Sequence, residues 1–74
     1  MVFPREAKWW TRLRMARNYR RLSQEQAAEA IGISRRTYAR YEAGTYVPND
    51  YTQKRLATLM EEPQETLFMG AGRK

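Results

Sequence analysis

Residues 21–44 read RLSQEQAAEAIGISRRTYARYEAG. The stretch decides the fold because helix starts and stops alternate along it at short intervals. Ser23 stands three residues before Gln26, the spacing at which the serine hydroxyl caps a helix and the glutamine reaches back to it. Ala27, Ala28 and Ile31 follow on one helical face. Gly32 then supplies the left-handed backbone that ends a helix. Ser34 caps a second helix, with Ile33 and Tyr38 placed to staple its start, and Gly44 closes it. Ala28 is small enough for two short helices to cross steeply, and Gly32 suits the sharp turn between them.

On a wheel turning ~100° per residue, Tyr38 and Tyr41 share one side of the second helix, with Ser34 close to them. Arg35, Ala39, Ala43, Arg36 and Arg40 follow in order around the opposite arc. An inward tyrosine face therefore sets three arginines outward as one patch, kept slim by the alanines between them.

Working outward, the first helix is expected from about Arg5 to Tyr19, with Trp9, Leu13, Ala16 and either Tyr19 or Arg20 at helical spacing. Downstream, 45–49 forms a turn, and Asn49 or Asp50 caps a helix that buries Leu56, Leu59 and Met60 together with Tyr51 or Thr52. Pro63 opens a last short turn or helix through 64–68. No stretch alternates with period two, so the expectation is a compact all-α domain of four or five short helices spanning residues 1–74. Residues 1–4 and 70–74 are expected to be loose ends.

With 74 residues, the chain holds one small core and no roomy cleft. Neither cysteine nor histidine occurs, which argues against disulfides, common metal sites and acid–base catalysis. The expectation is a protein with no cofactor, no small-molecule ligand and no enzymatic activity. No apolar run approaches the ~18 residues that span a bilayer, and the start lacks a signal-peptide pattern. A soluble cytoplasmic protein, associated with the nucleoid, is expected. Residues 1–40 carry ten basic side chains against three acidic ones, a net +7, while 41–74 carry four against five. The basic front half points to a polyanion.

The stretch at 21–44 resembles the helix-turn-helix of phage repressor/Cro (XRE-type) DNA-binding proteins, whose fold is the lambda-repressor-like domain. The likeness extends upstream through Leu13, Ala16 and Arg17 and downstream through Pro48, Leu56, Ala57 and Met60, so that it covers most of 10–68. LSQxxAAxxxGIS is its most specific element. The stretch PNDYTQKRLATL at 48–59 resembles small anti-CRISPR-associated autorepressors of phages and mobile elements.

The resemblance implies double-stranded DNA as partner, with the second helix of the motif in the major groove. It places Arg35, Arg36 and Arg40 on base edges, where arginine donates twice to guanine, and Ala39 against a thymine methyl. Phosphate contacts are implied for Ser23, Gln24, Ser34, Thr37, Thr45 and Tyr46, and for Arg20 and Arg21 at the end of the first helix. Gln24 would also brace the first base-reading arginine. Arg17 and Glu42 are implied as a partly buried ion pair that orients the recognition helix. A homodimer on an inverted repeat is expected, because one module of this size binds weakly alone. Trp9 is expected in the core with Trp10 partly exposed, and 67–69 are read first as closing the core; the sharper reading makes Trp10, Leu67, Phe68 and Met69 the dimer surface.

The leading expectation is a transcriptional regulator of the repressor or autorepressor kind. The alternative is an antitoxin-like or co-activator module that uses the same fold mainly to hold another protein. A membrane-surface peptide fits poorly, since the arginines share their helix with caps and core positions.

Overall fold

The computed structural model describes residues 1–72. Arg73 and Lys74, assigned by the sequence to a loose end, lie outside the described residues. Five helices follow in order: α1 (Trp9–Tyr19), α2 (Gln24–Ile31), α3 (Arg35–Glu42), α4 (Asp50–Met60) and α5 (Gln64–Leu67). Among the described residues every regular element is helical. They pack into a body of 28 × 26 × 19 Å, with α2 against α3 and α4, α1 against α3 and α5, and α5 on α4.

The helix ends explain the segmentation. Ser23 accepts from the Gln26 N–H at 3.0 Å while the Gln26 side chain accepts from the Ser23 N–H at 2.8 Å, a complete capping box. Ser34 and Asn49 cap α3 and α4, accepting from the amides of Thr37 and Thr52. At the other ends, four helices close with the same pair of backbone bonds. After α3, the Thr45 N–H reaches the Arg40 carbonyl and the Gly44 N–H that of Tyr41, with Gly44 left-handed at φ 77°. Gly32 does this after α2, whereas Arg21 and Glu61 do it after α1 and α4 at φ 60° and 57°. These last two are side chains in a backbone region that favours glycine.

Trp9, Leu13 and Ala16 of α1, Ala27, Ala28 and Ile31 of α2, Tyr38 and Tyr41 of α3, Leu56, Ala57 and Met60 of α4, and Leu67 and Phe68 make one buried core. Burial of Leu67 and Phe68 decides for core closure over the dimer-surface reading: they lie beneath α1, and the Phe68 ring is 5.8 Å from that of Trp9. Trp10 is half-buried and packs on Gly44, where an added Cβ would sit 2.7 Å from the indole. It too is lost as a free surface, and of the four candidates Met69 alone is largely exposed.

Three further expectations change. α1 begins at Trp9 rather than near Arg5, because Lys8 is extended and offers no side-chain cap while residues before it turn back through an Ala7 N–H to Pro4 carbonyl bond. Tyr51 is exposed and Thr52 half-buried, and the turn of α4 that meets the core comes later, at Leu56, Ala57 and Met60, with Leu59 half-buried beside it. At the chain's described ends, Phe3 and Ala71 pack against the core, contrary to the expectation of loose termini.

Arg12 joins these ends. Its side chain is buried, and among the described residues no carboxylate pairs with it; Nε donates to the Leu67 carbonyl at 3.1 Å, and the other two nitrogens donate to the carbonyls of Ala7 and Met69. Burial pulls the guanidinium below its ordinary value, but from so high a start it stays charged at neutral pH. One cation thus satisfies three carbonyls from both ends of the chain. Arg12→Ala should lower the unfolding free energy by about 2–4 kcal/mol in urea titration, since charged hydrogen bonds and packed stem are lost together. Arg14→Ala, on the exposed side of the same helix, should stay within about 0.5 kcal/mol of the parent.

Candidate nucleic-acid interface

α3 carries RRTYARYE between the Ser34 cap and the glycine turn. Tyr38 and Tyr41 are buried, with their rings edge-on at 6.4 Å. Arg35, Arg36, Arg40 and Ala43 are exposed and Ala39 is half-buried, so the basic arc and the aromatic side are on opposite faces of one short helix.

Glu42 fixes that orientation. Its residue surface is only 3% exposed, and its two oxygens are filled by donors from three helices. Arg17 of α1 donates through Nε to Oε2 at 2.6 Å and through Nη2 to Oε1 at 3.1 Å. Gln24 of α2 donates through Nε2 to Oε1 at 3.0 Å, and the Tyr38 hydroxyl donates to Oε2. Arg17 also donates to the Leu22 carbonyl at 2.7 Å, tying in the α1–α2 turn. Burial works to raise the Glu42 pKa, but the hydrogen bonds from Arg17, Tyr38 and Gln24 outweigh it and hold the carboxyl below the ordinary range. Burial and the bond to that carboxylate push the Tyr38 hydroxyl up, so it stays protonated and able to donate. The Arg17 guanidinium is raised, chiefly by its hydrogen bonds to Glu42.

This use of Gln24 corrects its expected role as a brace for the first base-reading arginine. Its amide group is turned to the second oxygen of Glu42, an acceptor it shares with Arg17 Nη2 in a buried site. Arg20 is also engaged: Nε donates to the Met60 carbonyl at 3.2 Å, and Nη1 pairs with Glu61 at 3.0 Å. Arg20 therefore clasps the end of α4, while Arg21 remains exposed. The Ser34 hydroxyl is taken up by its cap bond and by donation to Thr37 Oγ1 at 2.9 Å. Ser23, likewise a cap, and Thr45 are exposed.

Tyr46 stands beside Arg40, a contact that sequence reasoning missed. Arg40 Nη1 donates to the tyrosine hydroxyl at 3.1 Å, and the guanidinium carbon lies 5.0 Å from the ring centroid. The two residues are six apart across a glycine turn, so helical spacing gave no hint of the pair.

The face therefore presents exposed guanidiniums on a helix whose inner side is locked, at the second helix of a Ser-capped, glycine-linked pair. A family model described as a helix-turn-helix domain matches residues 11–67. The chain belongs to this helix-turn-helix family. No curated protein and no solved structure matches it. In the helix-turn-helix pair of this chain, α2 is the supporting helix and α3 the one whose polar arc is free. No helix among the described residues is long and apolar enough to cross a membrane.

Glu42 contributes stability that is fully present above the unfolded-chain carboxyl value of about 4.3 and is lost as pH falls through the lower folded value. Glu42→Gln should thus be less stable than the parent by about 2–3 kcal/mol at neutral pH, because Arg17 is left partly buried and unpaired. The difference should shrink as the solution is taken from about pH 5 toward 2. Urea titrations across that range provide the check; a gap that does not narrow would mean the carboxylate charge adds nothing.

Proposed function

We propose that this protein binds double-stranded DNA in a sequence-specific manner and regulates transcription, as a repressor or autorepressor. The observation that carries the reading is the division of α3: Tyr38, Tyr41 and Glu42 inside, Arg35, Arg36 and Arg40 outside. Membership of the helix-turn-helix family supports the same reading.

In this reading α3 enters the major groove. Each exposed arginine can donate a fork of two N–H groups to O6 and N7 of guanine, and Ala39 and Ala43 allow the helix backbone to approach the base edges closely. Arg21, Thr45 and Tyr46 grip phosphates at the flanks, and the exposed first turn of α2 at Ser23 lies against the backbone. Two copies bind an inverted repeat, with α3 of each copy in successive major grooves about one helical turn apart. The net charge of +6 favours non-specific approach to the duplex, from which the base contacts then select.

Selection of bound duplexes from a random pool should return a palindromic site containing guanine, protected over both halves in footprinting. Arg36→Ala should weaken binding to that site by about 5- to 150-fold while changing binding to random DNA little. Arg21→Gln should weaken both equally and make the logarithmic salt dependence shallower by about 1. Equal loss of specific and random binding in both variants would overturn the assignment of α3 as the base-reading element.

A further inference from the structure

Arg40 differs from the other two exposed arginines in being held. The turn after α3 is pinned from two directions: the Thr45 and Tyr46 amides lie 3.0 and 3.4 Å from the Arg40 carbonyl, and Gly44, left-handed at φ 77°, is pressed onto the Trp10 indole. This geometry delivers the Tyr46 ring to the side of Arg40. Tyr46 is 48% exposed, so it is no core residue.

We propose that Tyr46 is a positioning residue for sequence readout, holding the Arg40 guanidinium on the α3 surface before DNA arrives. This rests on the DNA-binding reading above. A free arginine loses rotamer freedom on entering a groove, and that loss opposes binding. A guanidinium already stacked and hydrogen-bonded has less freedom to lose. The chemistry leaves both groups competent for a duplex. Of five guanidinium N–H groups, one is used on the tyrosine oxygen, so others remain for a guanine. The tyrosine oxygen accepts that bond, which leaves its own proton available to a phosphate oxygen.

The test combines Tyr46→Ala, Tyr46→Phe, Arg40→Ala and the Tyr46→Ala/Arg40→Ala double variant, each confirmed as folded by circular dichroism. The probe is the duplex selected by the parent protein, with every base pair substituted in turn. The pair read by Arg40 is the one whose preference disappears in Arg40→Ala. Tyr46→Ala should weaken parent-site binding about tenfold and relax preference at that same pair, because it removes both the stack and the acceptor. Tyr46→Phe, which keeps the ring, should give an intermediate loss. In the Arg40→Ala background the loss from Tyr46→Ala should shrink to about twofold or less, the sign of coupling.

Without DNA, ring-current shielding should move the Arg40 δ-methylene protons upfield in the parent and not in Tyr46→Ala. If they are unshielded in the parent, the positioning role falls while the DNA-binding reading stands. A uniform loss of affinity on every duplex, undiminished when Arg40 is absent, would make Tyr46 a phosphate grip with no part in readout and also overturn the proposal. A parent protein with no base preference would overturn both readings together.

Discussion

The carboxylate of Glu42 is withdrawn from water, and the desolvation is offset by four hydrogen bonds from Arg17, Gln24 and Tyr38. Each donor belongs to a different helix or a different turn of α3, so the charge cannot be satisfied unless α1, α2 and α3 meet at one mutual orientation. A purely apolar contact would tolerate rotation of α3 by some tens of degrees, since dispersion is not directional. A bidentate guanidinium–carboxylate pair in a fixed plane does not. Buried ion pairs are weak sources of stability. Here the geometric demand matters more than the energy.

That demand carries through to the surface. With Tyr38 and Glu42 one turn apart on the inner side, Arg36 and Arg40 are also one turn apart on the outer side. The spacing of the exposed guanidiniums is inherited from the helix and their direction from the polar cluster beneath it. The same division of labour separates the basic residues. Arg12 and Arg17 are structural, Arg20 clasps the end of α4, and Arg35, Arg36 and Arg40 remain in solvent. Of these six cations of the basic front half, three are already spoken for inside the fold.

Local features were the most legible ones. Ser23 with Gln26, Gly32, Ser34, Asn49 and Gly44 announce helix ends because capping involves residues within about four positions of each other. The faces of α2 and α3 followed from the same short-range periodicity, and Tyr38 could have been tied to Glu42 by their i, i+4 spacing. What stayed hidden depends on distant partners. Arg12 donates to carbonyls 55 and 57 residues away, and a backbone carbonyl leaves no mark in composition. Arg5, Glu6 and Ala7 are good helix formers, yet the chain turns there, and the Ala7 carbonyl, outside any helix, accepts from Arg12. For Leu67 and Phe68 the sequence leaves core closure and a dimer surface both open, and only their burial beneath α1 decides between them.

The adjacent indoles of Trp9 and Trp10 face different parts of this architecture. Trp9 is sealed in the interior beside Phe68, while Trp10 rests on the glycine turn that follows α3. Their rings are nevertheless 5.7 Å apart and nearly perpendicular. The molecule therefore contains two chromophores in electronic contact, one sensing the packed centre and the other the backbone that carries Tyr46. A displacement of that turn alters the surroundings of the second indole and, through their contact, the coupling between the two rings, so motion beside the basic face is carried into the joint tryptophan signal.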